Sequence, residues 1–247
     1  MINASMTNIL ITGASGGIGR AIAASLAAPG RRLLLHYAAD QAGIDTSAAV
    51  VTAAGAEALV VQADLATKAG RDTLCDAAQT RQPNCDVLIN NAGGPVVNKP
   101  LAELQEEDVE RVIGVNYLAA LRLSQTVFPG MCERGYGRVV SISSIGLKFG
   151  GSDRTVAYAG AKSALETLSM YLARQGAASN VLANVVRAGV IDTPLHTKFP
   201  KDLEQRRQLI PLQRLGQPAD VAGMVNYLVS DSGNYITGQL FSVAGGE

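Results

Sequence analysis

The sequence predicts an α/β fold, a single doubly wound domain over residues 1–247 with a seven-stranded parallel sheet and helices on both faces. Three observations carry this expectation. Strand-like apolar runs alternate steadily with Ala- and Leu-rich segments of helical period, the pattern of repeated βαβ units. The runs are near-continuous in apolar residues, as strands covered on both faces require. The first run opens directly into a glycine cluster and then a helical stretch, and no linker or repeat interrupts the rest of the chain. In such sheets ligands sit beyond the carboxyl ends of the strands, where strand order reverses. The residues just after each strand are therefore the ones to read for function.

The first strand, Ile9–Thr12, ends in Thr12-Gly13-Ala14-Ser15-Gly16-Gly17-Ile18-Gly19, and a helix follows over Arg20–Ala27. A turn of this kind aims unpaired backbone N–H groups and the positive end of a helix dipole at one point, which suits a phosphate. Gly13, Ser15, Gly16, Gly17, Ile18 and Gly19 are thus candidate cofactor contacts. The spacing is G-x-x-x-G-x-G, not the general G-x-G-x-x-G fingerprint, and a glycine turn also serves simply to pack a helix on a sheet.

The second strand, Arg32–His36, runs into Tyr37-Ala38-Ala39-Asp40. A carboxylate at this strand end would hold an adenosine ribose and repel a 2′-phosphate. Tyr37 stands there instead, which tilts the choice toward NADP, although no arginine follows at Ala38 or Ala39. Asp40 comes three residues late and reads as a cap. A helix over Asp45–Ala54 leads to the third strand, Ala58–Gln62, after which Asp64 and Leu65 are candidate adenine contacts; a plain helix cap is the alternative for Asp64. A helix over Gly70–Gln79 precedes the fourth strand, Val87–Asn90, followed by Asn91, Ala92, Gly93 and Gly94, either a structural turn or a backbone lying close beneath a cofactor ribose. One helix is expected over Glu106–Glu133, with Asn116 inside it. The fifth strand, Arg138–Ile142, runs on to Ser143 and Ser144. The helix Ala157–Gln175 carries Tyr158 and Lys162, whose spacing of four puts them on one face. Such a pair alone is usually a solvated surface pair; its company here makes it a candidate for chemistry. The sixth and seventh strands are Val181–Val186 and Gln239–Val243.

Composition narrows the function classes. The chain is 47% hydrophobic and 17% charged with zero net charge, which favours a large core over disorder. No basic stripe argues for nucleic acid, and no polybasic cluster or apolar run of about 18 residues argues for a membrane. The N-terminus lacks a charged-then-apolar signal pattern, so a cytoplasmic protein is the default expectation. Cys75, Cys85 and Cys132 form no C-x-x-C pair, and only His36 and His196 are present. A metal site or a Ser-His-Asp triad has almost nothing to be built from.

With those residues assembled, the chain resembles the short-chain dehydrogenase/reductase family over nearly its whole length. Thr12-Gly13-x-x-x-Gly17-Ile18-Gly19, Asn90-Asn91-Ala92-Gly93, Asn116, Ser144 and Tyr158-x-x-x-Lys162 occur in the family's order and at its approximate spacings. The resemblance implies a Rossmann-type fold, a nicotinamide cofactor and a catalytic tetrad of Asn116, Ser144, Tyr158 and Lys162. In that scheme Tyr158 exchanges the proton, and Lys162 lowers the tyrosine pKa and holds the cofactor ribose. Ser144 holds the substrate oxygen and Asn116 anchors a water. Gly189, Ile191 and Thr193 would touch the nicotinamide, with Ala188 in place of the family's usual proline.

Pro194–Leu215 stands where the family has a mobile lid, giving a lid of about residues 190–215. Leu147, Phe149 and Phe199 suggest an apolar pocket, and Lys148 or Arg154 is a candidate for an anionic group. The C-terminal motifs are similar to the 3-oxoacyl-carrier-protein reductase branch, which implies NADPH-dependent reduction of a 3-oxoacyl thioester in fatty acid synthesis. NAD(H) is not excluded. A dehydrogenase of a secondary alcohol, sugar or steroid is the alternative within enzymes, and an NADP-binding regulatory protein the alternative outside them. Arg134 and Arg138 are candidate contacts for an acyl carrier protein. The two long helices carry more apolar positions than one sheet face needs and are expected to pair subunits in a homotetramer or homodimer.

Overall fold

The computed structural model describes residues 6–194 and 203–247. Its strands are β1 (Thr7–Ile11), β2 (Arg31–Tyr37), β3 (Glu57–Gln62), β4 (Val87–Asn90), β5 (Gly137–Ser144), β6 (Val181–Ala188) and β7 (Leu240–Val243). The helices are α1 (Gly17–Leu26), α2 (Gln41–Ala53), α3 (Lys68–Thr80), α4 (Glu106–Ile113), α5 (Ala119–Arg134), α6 (Val156–Gly176), α7 (Leu203–Leu209) and α8 (Pro218–Val229). All seven strands join one sheet in the order β3-β2-β1-β4-β5-β6-β7, and every neighbouring pair is parallel. This is the expected Rossmann-type sheet. Strand order reverses between β1 and β4, and that crevice is where such sheets take their ligand.

The continuous apolar runs are explained by a core on each face. Along β1, Ile9 and Ile11 turn to one face with Leu33 and Leu35 of β2, Ile22 of α1, Ile44 of α2 and Val221 of α8. Leu10 and Leu34 turn to the other with Leu74 of α3, Leu123 of α5 and Leu165 of α6. Alternate residues of a strand point to opposite faces, so a strand between two helical layers has no polar side. Each such side chain, fully buried, contributes roughly 1.5–3 kcal/mol.

Two expectations are corrected. The helix expected over Glu106–Glu133 is broken by a π turn at Gly114–Leu118. Within that turn Asn116 is buried, and its Nδ2 donates to Val112 O at 2.9 Å and to Gly94 O at 3.0 Å. The wider turn lets a helical residue reach out to the loop after β4. The second correction concerns Arg138, one of the two arginines offered to a carrier protein. It is fully buried, held by Gly137 O, Asn180 O and Asn234, with Tyr136 stacked at 4.5 Å. Arg134 is engaged as well, donating to Cys85 O at 2.7 Å. Arg138 is not free to meet a partner, whereas Arg134 keeps an exposed face.

Candidate active site

The glycine turn is built by hydrogen bonds that its sequence only half announces. Thr12 Oγ1 donates to Ile89 O and accepts from the N–H groups of Asn91 and Ala92, which lashes the end of β1 to the end of β4. Asn91 Nδ2 returns two bonds to the carbonyls of Thr12 and Gly13, at 2.9 and 3.0 Å. Gly13 turns with φ +68°, and a Cβ there would press on Ala92 Cα at 3.0 Å. Only glycine takes that conformation and that approach without strain. His36 completes the support. Its Nδ1 accepts from Gly13 N–H at 3.1 Å and its Nε2 sits 2.9 Å from Ala63 O, which fixes the neutral tautomer protonated on Nε2. Burial pushes the His36 pKa down accordingly.

The helix start is open to an anion. Gly16, the N-cap of α1, makes no side-chain cap, and the first turn carries no acidic residue. A Cβ at Gly16 would meet nothing within 4 Å, so this edge of the turn faces free space. Uncapped N–H groups at a helix N-terminus fit a phosphate. Ser15 and Ile18 lie along the same turn, and Gly17 stacks against Thr193, whose methyl would lie 3.1 Å from a Cβ there. Further along the edge, Asp64 is exposed while Leu65 is buried, which leaves Leu65 only its backbone for a ligand. Tyr37 is buried with its hydroxyl on Gln41, and Asp40 is consumed as the N-cap of α2, donated to by Gly43 N–H at 2.9 Å. No carboxylate at the end of β2 is thus left for a ribose. After β6, Gly189 packs against Ala244, and Ile191 bridges to Gly216 with its side chain buried.

The candidate catalytic residues come together beside this turn. Gly93 is the hinge of the arrangement: a Cβ there would lie 2.5 Å from Asn116 Oδ1 and 2.7 Å from Lys162 Nζ. Asn116 Oδ1 accepts from Gly94 N–H at 2.9 Å, so its amide bonds both polar groups of Gly94 as well as Val112 O. The side chain thus clamps the loop after β4 to the helix that carries it. Lys162 is buried, donates to Ile142 O at 2.7 Å, and stands 6.0 Å from the Tyr158 ring centroid.

Three serines leave β5, and their surroundings separate them. Ser141 and Ser143, two apart, share a face, and their hydroxyls are taken by Ser169 and Glu166 of α6 at 2.8 and 2.7 Å. Ser144 is half-buried, accepts from Gly146 N–H at 3.1 Å and hydrogen-bonds the Tyr158 hydroxyl.

Burial moves both Tyr158 and Lys162 away from their free values. Burial pushes the Tyr158 pKa up to about 12, with the Ser144 hydrogen bond pulling the other way. Burial also pushes Lys162 down to about 8, with Glu166 opposing. The lysine ammonium is turned to the Ile142 carbonyl, and burial is the largest influence on both groups.

The outer wall differs from expectation. Leu147 is half-buried, but Phe149 is 68% exposed. Phe199, with Leu195 and His196, lies outside the described residues. Lys148 donates to the Glu247 carbonyl at 2.9 Å, and Arg154 lies 3.9 Å from Asp153 on the surface. The described part of the expected lid contains α7 and the segment Ile210–Gly216. Ile210, Leu212, Arg214 and Gly216 line a cavity of about 310 Å³ with Gly189, Ile191 and Val243.

Sequence reasoning missed His36, Glu166 and Arg187. A polar residue inside an apolar strand flags His36 and Arg187, and a spacing of four from Lys162 flags Glu166.

Comparison with known proteins agrees with this geometry. A family model described as enoyl-(acyl carrier protein) reductase matches residues 13–247. A 3-oxoacyl-[acyl-carrier-protein] reductase of Synechocystis sp. is 34% identical over 238 residues, covering 96% of this chain and 95% of that protein. Among solved structures, a short-chain dehydrogenase/reductase from Serratia marcescens is similar with a TM-score of 0.89 at 31% identity, covering 98% of each chain. A blue fluorescent protein from a metagenomic library, solved in complex with NADPH, has a TM-score of 0.89 at 32% identity, covering 99% of this chain and 98% of that one.

Proposed function

The chain belongs to the short-chain dehydrogenase/reductase family of oxidoreductases, and from that premise we propose that it is an NADPH-dependent reductase of a ketone, most specifically a 3-oxoacyl thioester. The observation that carries this reading is the grouping of Ser144, hydrogen-bonded to Tyr158, with Lys162 6.0 Å from the Tyr158 ring and packed on Gly93, beside a glycine turn with an open helix start. The cofactor preference rests on Tyr37 and the spent carboxylate of Asp40, and on the NADPH held by the metagenomic neighbour. The substrate class rests on the 3-oxoacyl reductase relative.

The residues fit such a cofactor. The turn Gly13–Gly19 would hold its phosphates, Asp64 the adenine, Lys162 the nicotinamide ribose, and Gly189, Ile191 and Thr193 the nicotinamide amide. When bound, the reduced nicotinamide supplies a hydride to the carbonyl carbon. Tyr158 donates its proton to the alkoxide oxygen that develops there. The high pKa of the buried phenol keeps that proton in place until the alkoxide forms. Ser144, already bonded to Tyr158, donates to the same oxygen and stabilises charge where it appears. Lys162, once the ribose draws its ammonium away from Ile142 O, supports the tyrosinate left behind. Asn116 keeps the loop after β4 in register with all three.

Outside the site, Met170 and Tyr171 expose apolar surface on α6, and we propose that a second copy of the chain covers it in a dimer or tetramer. No helix among the described residues is long and apolar enough to cross a membrane, and we place the protein in the cytoplasm, where NADPH and thioester substrates are available.

The test is oxidation of NADPH and of NADH, followed by absorbance, with an acetoacetyl thioester. Turnover with NADPH well above that with NADH is expected. Preference for NADH would overturn the cofactor assignment, and bound NADPH without turnover would overturn the thioester.

A further inference from the structure

One ion pair, a buried carboxylate with a half-buried guanidinium, stands behind the site and takes no part in the chemistry above. Glu166, one helical turn after Lys162 on the same face of α6, is buried. Its Oε1 accepts from Ser143 Oγ and from Arg187 Nε, both at 2.7 Å, and its Oε2 accepts from Arg187 Nη2 at 2.6 Å. A single carboxylate thereby ties α6 to β5 one residue before Ser144, and to β6 two residues before Gly189. Apolar side chains of similar volume would join these elements at no cost in desolvation. The charges therefore call for a use.

We propose that Glu166 and Arg187 are positioning residues that together set the protonation of Lys162, the carboxylate favouring the ammonium and the guanidinium limiting how strongly it does so. Lys162 has little else to hold its charge. From its own helix it faces Glu166 and the Tyr158 ring. From β5 it meets the Ile142 carbonyl, and from the loop after β4 the neutral Gly93 and Asn116. The carboxylates of α4 point to solvent or, for Asp108, are taken by Lys99. From β6 comes only Arg187, which acts through Glu166. Removing the carboxylate leaves the buried ammonium with no counter-charge among the described residues and a half-buried guanidinium behind it, and the lysine sheds its proton more readily. Removing the guanidinium frees the carboxylate, and the lysine holds its proton longer. The two variants must therefore shift Lys162 in opposite directions, which no purely structural role for the pair would do.

The proposal rests on the catalytic reading of Lys162 only for its consequence in turnover, so its first test is made on the free protein. The chain has six lysines, and Lys162 can be assigned in a 13C,15N-lysine NMR spectrum as the signal lost in Lys162→Met. Its midpoint, about 8 in the native protein, is expected to fall by about one unit or more in Glu166→Gln and to rise by a similar amount in Arg187→Gln. The double variant should fall between. The alkaline limb of kcat/KM should move with each midpoint. Shifts of the same sign in both single variants, or no shift in a folded Arg187→Gln and double variant, would overturn the proposal. If the lysine shifts as expected and the kinetic limb does not, the positioning role stands and the catalytic reading of Lys162 fails.

Discussion

At the scale of single residues, the site separates groups that react from groups that hold others in place. In the proposed mechanism Tyr158 is the proton donor, so Tyr158→Phe should lower kcat by roughly 10²–10⁴-fold. The ring and its packing remain, so NADPH affinity, read by fluorescence titration, should change little; a variant with native turnover would refute the mechanism. His36 is a holding group. It lends one nitrogen to Gly13 N–H and the other to Ala63 O, and neither partner meets water easily. His36→Ala strands both, at about 1–3 kcal/mol for each group. Urea denaturation should register that loss, and NADPH should bind more weakly because the turn loses its support. The sign with pH follows from the lowered pKa. A histidine kept neutral by folding contributes fully above its unfolded value of about 6.5, and the contribution is lost as pH falls below it. The native protein should therefore lose stability over that acid window, and His36→Ala should not. Equal slopes in the two proteins would exclude this account.

At the scale of elements, the close contact of α1 with the glycine turn decides how the phosphate site is formed. A Cβ at Gly19 would run into the Gly13 carbonyl oxygen and come within 2.6 Å of Asn91 Nδ2. By helix propensity alone Gly19→Ala should stabilise α1 by about 1 kcal/mol. The clash outweighs that gain, because the obstacle is backbone and cannot swing aside. The variant should be less stable than the native protein and bind NADPH at least about tenfold more weakly, the cost expected when overpacking moves an element by a few tenths of an ångström. A more stable Gly19→Ala with native affinity would show that the helix is free to shift. This level of the fold was the most legible in the sequence. The strands, their order of use and the turn after β1 are written in apolar runs and glycine spacing, and so are Tyr158 and Lys162. What the sequence hid are interactions between elements distant in the chain. His36 reaches Gly13 and Ala63, Glu166 reaches Arg187, and Asn116 reaches Gly94 through a π turn that helical periodicity does not reveal. The burial of Tyr158 and Lys162 was hidden for the same reason: a pKa depends on depth, and a spacing of four carries no depth.

At the scale of the whole molecule, two apolar layers enclose the sheet, and one ammonium is set at the seam between sheet and helix. Lys162 is held from its ordinary 10.5 down to about 8 by burial. At 1.36 kcal/mol for each unit, keeping it charged near neutrality costs the fold about 3 kcal/mol. Its hydrogen bond to Ile142 O recovers about 1 kcal/mol of that. Lys162→Met removes the charge, fills similar space with a flexible apolar chain and forfeits only the bond. The variant should therefore be the more stable protein at pH 7, by about 2 kcal/mol, or roughly 4–8 °C in Tm for a chain of this size. The sign with pH distinguishes this from simple repacking. Below about 8 both folded and unfolded native chains carry the proton, and the penalty is complete. Between about 8 and 10.5 the folded protein releases the proton before the unfolded chain does, so native stability rises with pH and the advantage of the variant shrinks. Above 10.5 the advantage should be gone. Thermal melts of both proteins at pH 7, 9 and 10.5 measure this directly. A gain that did not shrink would place the cost in packing, and a variant less stable at pH 7 would mean that the fold carries its buried charge at no expense.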